Sequence, residues 1–184
     1  MTLDQEVLLS REDLTKTITR MAHELIEKAG AIEDLALIGI RSRGVHLARR
    51  LARKIEELTG KALPLGIIDV THFRDDRRRD SFSNAGASEE IPVTVENKTA
   101  VLVDDVIFRG RTMRAAMEAL EQMGQAKRVM LAVLIDRGAR ELPIRADIVG
   151  KNVAAADGRR VNVLLQESDG IDQVVVTRWE NPQH

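Results

Sequence analysis

Short apolar runs at 35–40, 65–70, 99–103 and 129–135 alternate with stretches whose apolar residues recur at helical spacing, and charged residues follow each run. Runs this short and this apolar suit strands covered on both faces, as in a parallel sheet. The first helical stripe is Leu14, Ile18, Met21, Ala22, Leu25, Ile26 and Ala29; Ser10 and Asp13 ahead of it resemble a capping box, and Gly30 closes it. Val45, Ala48, Leu51, Ala52, Ile55 and Leu58 form a second stripe that Gly60 stops, and a third helix runs from about 112 to 123 before Gly124. Segments 147–149, 161–165 and 174–179 read as further short strands between turns. The pattern predicts an α/β fold: a central, mostly parallel, twisted sheet flanked by helices with right-handed crossovers.

Ligands of such sheets sit beyond the carboxyl ends of the strands. The charged segments 41–44, 71–79, 104–112 and 136–140 all follow predicted strands, so they should meet at one edge. Segment 71–90 is polar and aperiodic, which inside a compact domain means a functional loop or disorder. With 184 residues the chain has the length of one domain. Its 28 Lys and Arg against 29 Asp and Glu, a net charge of -1, exclude a wholly basic nucleic-acid coat and an acidic tail. An anionic partner would need a local basic cluster. Cysteine is absent, which removes thiolate chemistry, and His23, His46, His72 and His184 are too scattered for a zinc motif. No apolar run approaches the ~20 residues of a membrane span. The first residues lack a basic and an apolar targeting region, so a cytoplasmic, non-membrane protein is expected.

The most informative stretch is Val101-Leu102-Val103-Asp104-Asp105-Val106-Ile107-Phe108-Arg109-Gly110-Arg111-Thr112. An apolar strand delivers two carboxylates, and a short glycine-containing loop then opens a helix. The loop and helix start offer N–H groups and a positive dipole end that suit a phosphate, and Thr112 adds a hydroxyl. The carboxylates would repel that phosphate, so they face something else: a ribose diol or a hydrated magnesium ion.

This stretch resembles the phosphoribosyl-pyrophosphate (PRPP) signature of type I phosphoribosyltransferases. More closely, the chain resembles the bifunctional pyrimidine operon regulators that are also uracil phosphoribosyltransferases. The likeness includes Thr19-Arg20-Met21-Ala22-His23-Glu24, Gly39-Ile40-Arg41-Ser42-Arg43-Gly44, Arg74-Asp75-Asp76, Asp136-Arg137-Gly138, the segment from Arg140 to Asp147, and Gly150-Lys151-Asn152. It implies a single domain over 1–184, with a flexible lid at about 71–90 and a small hood from the N-terminal and C-terminal segments. It further implies that Asp104 and Asp105 hold the ribose hydroxyls and that Val106, Ile107, Phe108, Arg109, Gly110, Arg111 and Thr112 bind nucleotide, those from Phe108 onward cradling the 5′-phosphate. Arg41, Ser42 and Arg43 would form the pyrophosphate loop, Arg74 with Asp75 and Asp76 would lie on the lid, and Arg137 and Val161 would border the uracil. Arg41 and Arg74 join the two aspartates as expected catalytic residues. The implied reaction turns uracil and PRPP into UMP and pyrophosphate, with Mg2+ carried by PRPP.

Two positions depart from the wider pattern. Arg109 stands where many relatives carry a small hydroxyl residue; its guanidinium either pairs with the phosphate or, as favoured here, points outward. Phe108 stands where purine-salvage relatives have a carboxylate, which argues for uracil over a purine.

The same resemblance implies RNA contacts at Thr19, Arg20, His23, Arg140, Arg145 and Lys151, and as partner a stem-loop in pyrimidine operon leader mRNA. Six basic residues against three acidic ones between 137 and 160 form the local excess such a partner needs. With no Tyr, one Trp and three Phe, extensive base stacking is not expected. Three readings follow: a UMP- or UTP-dependent RNA-binding regulator that also makes UMP, a plain salvage enzyme, and a non-catalytic nucleotide sensor. A homodimer or homotetramer is expected. A dinucleotide-dependent oxidoreductase is remote, since no GxGxxG follows the first predicted βα strand.

Overall fold

Ser10 opens the first helix as its spacing predicts. Its Oγ accepts the Asp13 N–H at 3.2 Å, and the Asp13 carboxylate accepts the Ser10 N–H at 3.1 Å, so two otherwise orphaned donors are satisfied reciprocally. The structure is a computed structural model that describes residues 5–70, 93–154 and 159–178. In chain order its elements are β1 (Gln5–Leu9), α1 (Arg11–Ala29), β2 (Leu35–Ile40), α2 (Arg43–Thr59) and β3 (Leu65–Ile68), followed by β4 (Thr99–Ile107), α3 (Arg111–Leu120), β5 (Arg128–Asp136), β6 (Ile148–Asn152), β7 (Arg159–Leu164), α4 (Gln166–Asp169) and β8 (Gln173–Arg178).

Five strands form a parallel sheet in the order β3-β2-β4-β5-β6. All of β2 is buried, because helices cover both faces. Leu14 and Leu25 of α1 and Leu51 and Ile55 of α2 pack with Leu35, Leu37, Val101 and Val103. On the opposite face Met113 and Ala116 of α3 pack with Ala36, Ile38, Ala100 and Leu102. Successive side chains of a strand point to opposite faces, so each strand feeds both cores. From β2 the chain adds β3 on one side and β4 on the other, and the β2–β4 boundary is therefore the switch point where such sheets open a crevice.

A second, three-stranded antiparallel sheet runs in the order β1-β8-β7. No strand is expected at 5–9 from the sequence, because Gln5 and Glu6 are polar and Gln5, Glu6 and Val7 are exposed; β1 exists through its pairing with a strand from the far end of the chain. β4 runs four residues past its expected end, its ladder to β5 continuing through Asp104, Val106 and Ile107. Neighbouring strands override the low strand preference of aspartate there. β3 stops at Ile68 rather than at 70, and α3 ends at Leu120 with a tighter turn over Glu121–Met123 before Gly124.

Carboxylates from the turn after β7 tie the small sheet to α2. Arg50 Nε donates to Glu167 at 2.8 Å, and Arg50 Nη2 donates to Asp172 at 2.6 Å. The bond from Arg50 holds the Glu167 carboxyl below the ordinary glutamate range. A backbone N–H, that of Leu165, does most to hold Asp169 low. A carboxylate depressed in the fold adds stability above its unfolded value of about 4, and loses it as pH falls through the folded value. Melting temperature should therefore drop as pH is lowered from 5 to 3, and Glu167→Gln should flatten that acid limb. At pH 7 this variant should melt about 2–4 °C lower, since so exposed a pair contributes at most about 1 kcal/mol. Thermal melts across the pH series read both; an unchanged acid limb in the variant would remove Glu167 from the account.

Candidate functional site

Beyond the carboxyl ends of β2 and β4 lies a cavity of about 550 Å³. The β2–α2 turn contributes Arg41, Ser42 and Arg43, β4 contributes Asp104, Asp105 and Val106, and Thr112 comes from the first turn of α3. Arg137, just past β5, and the run from Arg160 to Leu164 on β7 close the remaining side. Three of the charged segments that the sequence sends to one edge do meet there. Close approach of α2 to β4 depends on Gly44, where a Cβ would lie 2.4 Å from the Val103 carbonyl oxygen and 3.2 Å from the Asp104 Cα.

Asp104 and Asp105 sit inside β4, not beyond it. Val101 and Val103 belong to one core and Ala100 and Leu102 to the other, yet Val106 packs against the first core and Ile107 lies in the second. Strict alternation would give the reverse, so the strand changes face across the aspartate pair. Each carboxylate accepts the next residue's N–H at 2.9 Å, Asp104 from Asp105 and Asp105 from Val106. Asp104 is 7% exposed, the only buried carboxylate among the described residues. The pair is thus a rigid acceptor surface.

Residues 108–110 link β4 to α3. Gly110 has φ +92°, a left-handed conformation that glycine adopts without a Cβ penalty, and as the N-cap residue it brings no side chain to the start of α3. The start of α3, with Thr112 lining the cavity, turns the positive end of the helix dipole toward a ligand. A neighbouring loop braces this one. Arg140 donates to the Phe108 carbonyl at 2.8 Å, to Gly138 and Ile144 carbonyls at 3.0 Å each, and to the Asp136 carboxylate at 2.7 Å. Glu141 takes Arg111 Nε at 2.8 Å and lies 3.3 Å from Arg109 Nε, so the Arg109 guanidinium lies against Glu141. The Arg137 guanidinium stacks on the Phe108 ring at 4.3 Å and donates to the Arg159 carbonyl at 2.6 Å. Burial, and then the charge of Arg160, push Arg137 below the usual arginine range. Arg41, just past β2, lies 3.7 Å from Asp69, just past the neighbouring β3.

The residues expected to contact RNA divide. Arg20 of α1 donates to the Val149 carbonyl of β6 at 3.0 Å and pairs with Glu24 at 3.3 Å. Thr19 donates to the Thr15 carbonyl at 3.0 Å, Lys151 Nζ reaches the Leu8 carbonyl at 3.4 Å, and His23 and Arg145 are exposed. Arg140 differs: its side chain is 19% exposed and its donors are spent within the chain. Arg74, Asp75, Asp76 and the lid at 71–90 lie outside the described residues, as does Trp179 at the end of the last expected strand. Most of the β7 wall is missed by sequence reasoning. Only Val161 is named there, through the family likeness, because no motif marks a strand that returns from a second sheet.

Residues 4–161 match the family model of the phosphoribosyl transferase domain. Similar proteins include the bifunctional protein PyrR of Chloroflexus aurantiacus, 46% identical over 95% of this chain and 96% of that protein. The bifunctional protein PyrR of Pelotomaculum thermopropionicum is 47% identical over 96% of this chain and 97% of its own length. Among solved structures, a hypoxanthine phosphoribosyltransferase from Staphylococcus aureus aligns with TM-score 0.69 at 20% identity, covering 97% of this chain and 94% of that one. The enzyme of that kind from Trypanosoma cruzi, solved with the product IMP, gives 0.69 at 17% identity over 98% and 93%. Likeness at those identities is a likeness of fold alone. Identity near one half along almost the whole length goes further: the chain belongs to the phosphoribosyl transferase domain family and, within it, to the bifunctional PyrR proteins.

Proposed function

We propose that this protein transfers the phosphoribosyl group of PRPP to uracil, releasing pyrophosphate and forming UMP. In the same reading, the protein loaded with UMP or UTP grips the leader RNA of pyrimidine operons and attenuates their transcription, as a cytoplasmic homodimer or homotetramer. One observation carries the reading: the buried Asp104, the half-buried Asp105 and a helix start whose N-cap glycine has no side chain share one cavity at the sheet's switch point. The first-turn N–H groups of α3 suit a 5′-phosphate, and Asp104 and Asp105 suit the hydroxyls of the attached ribose. As the bond from C1′ to pyrophosphate breaks, positive charge grows on the sugar above these carboxylates. Arg41 stands at the side where pyrophosphate would leave with its negative charge. Phe108 offers no proton acceptor at the position that handles a purine in relatives, which supports uracil.

Magnesium fits as a companion of PRPP. Among the described residues no three carboxylate or imidazole side chains converge to cage a cation, while the aspartate pair offers the hard oxygens magnesium prefers. When bound, it would offset the charge of the departing pyrophosphate. No helix among the described residues is long and apolar enough to cross a membrane.

For RNA, support comes from the relatives, which are bifunctional proteins, and from the outer face of α1 beside β6. Arg20, His23 and Lys151 lie along that face and Arg145 is exposed. Arg140, with its donors engaged, would add charge but few direct contacts. The test is binding of a pyrimidine leader stem-loop with and without UMP at two salt concentrations. Salt-sensitive binding that tightens with UMP is expected. His23→Ala with Arg145→Ala should weaken it about tenfold, at the 1–2 kcal/mol scale of such contacts, and spare UMP formation. If UMP forms and no RNA binds, the protein is a salvage enzyme and the regulatory half of the reading is wrong.

A further inference from the structure

We propose that Asp169 is a positioning residue of the cavity: by holding Arg43 it seats the wall strand β7 on the start of α2 and keeps the Arg43 guanidinium occupied. The inference rests on the transfer reading for its substrates, and it concerns a residue that no sequence motif marks. Arg43 is the first residue of α2 and lines the cavity beside Arg41 and Ser42. Its Nη2 donates to Asp169 at 2.8 Å and its Nε at 3.3 Å, a two-point contact on one carboxylate. Asp169 in turn accepts the Leu165 N–H at 2.9 Å and the Ser168 hydroxyl at 3.0 Å. Its carboxylate thus ties three things: the end of β7, the turn that follows, and the helix that starts beneath the cavity.

Geometry makes this contact more than a surface pair. Val161, Val163 and Leu164 of β7 are cavity wall, and Leu165 directly follows that strand. Arg43 and Arg50 are seven residues apart and share one face of α2. Arg50 grips Glu167 and Asp172 on the same turn, so the turn is fixed at two points along the helix. Arg50 anchors its outer side, and Arg43 anchors the side nearest the ligand space. The Arg43 side chain is 33% exposed and that of Asp169 is 20% exposed, which leaves the pair partly shielded from solvent. Paired arginine and carboxylate in this geometry form charge-assisted bonds stronger than neutral ones. The β2–α2 turn would then meet pyrophosphate through Arg41 and its backbone, while Arg43 sets the spacing between the two walls.

The competing role for Arg43, a direct pyrophosphate ligand, predicts the opposite response to loss of Asp169. A released Arg43 would be freer to reach the anion, so Asp169→Asn would leave the KM for PRPP unchanged or lower it. As a positioning pair, Asp169→Asn and Arg43→Gln should each raise the KM for uracil about fivefold, with kcat within about twofold, and the double variant should match either single one. Amides of β7 should exchange with deuterium about fivefold faster in both variants. That readout needs no activity, and calorimetric binding of UMP to the wild-type protein checks the transfer reading separately. Additive losses in the double variant, or a raised KM for PRPP in Arg43→Gln alone, would overturn the proposal. If wild-type protein fails to bind UMP while β7 exchange still rises in both variants, the transfer reading falls and the seating of β7 stands.

Discussion

Replacing Asp104 and Asp105 together with asparagine will lower kcat/KM for UMP formation by about three orders of magnitude while leaving the fold intact. Asparagine keeps a side-chain oxygen where each carboxylate accepts the following N–H at 2.9 Å, so the local backbone arrangement survives. What disappears is negative charge beneath a sugar on which positive charge is developing. Loss of one well-placed electrostatic partner in a water-poor site costs about 10²–10³ in rate, and two neighbours acting as a unit cost little more than the larger single effect. Asp104 is buried and Asp105 half-buried, so solvent cannot replace them. Initial rates with uracil and PRPP, read beside the melting temperature, check this. Near-full activity in the double variant would mean that the ribose lies elsewhere.

Gly44→Ala carries the second large effect, this time on the fold. The added methyl would lie 2.4 Å from the Val103 carbonyl oxygen, 3.3 Å from its carbonyl carbon and 3.2 Å from the Asp104 Cα. Backbone atoms on both sides leave no flexible side chain to yield. Pushing α2 off β4 should cost about 3 kcal/mol, of which the better helix preference of alanine returns at most about 1. The melting temperature should fall by about 6 °C. Because the displaced helix carries the end of the β2–α2 turn, with Arg43 at the cavity, kcat/KM should drop more than tenfold as well. Denaturant titration and steady-state kinetics read the two effects, and a variant as stable as wild type would show that the α2–β4 contact has slack.

The sheet is legible in the sequence wherever one strand is apolar enough to be buried on both faces. β2 appears with its bounds as expected, and the capping box before α1 and the glycine after α2 mark their helices because those signals are local chemistry. β1 is not legible. Gln5 and Glu6 hold their extended form only through register with Thr177 and Val176, and no local pattern encodes a partner so distant. The aspartate pair is legible as a site and misread in place, since its strand continues through it on the strength of the β5 ladder. Arg140 shows a further limit. Basic charge in the sequence cannot tell a side chain offered to RNA from one whose donors are spent on Phe108, Gly138, Ile144 and Asp136. Asp169 is invisible for the same reason, its meaning lying in a guanidinium 126 residues away.

The pairing of β1 with β8 also sets an order of events during synthesis. A nascent chain that has emerged only as far as β6 already contains the aspartate pair, the loop before α3 and all five strands of the parallel sheet. It lacks β7, and β1 has no strand partner among the described residues until β8 leaves the ribosome. Contacts between such distant segments form late, after the local ones. An unfinished chain therefore has a floor for its ligand and no far wall, and it cannot hold nucleotide as the completed protein does. In the proposed role, where the nucleotide-loaded form acts on RNA, this would restrict sensing to chains whose translation has finished.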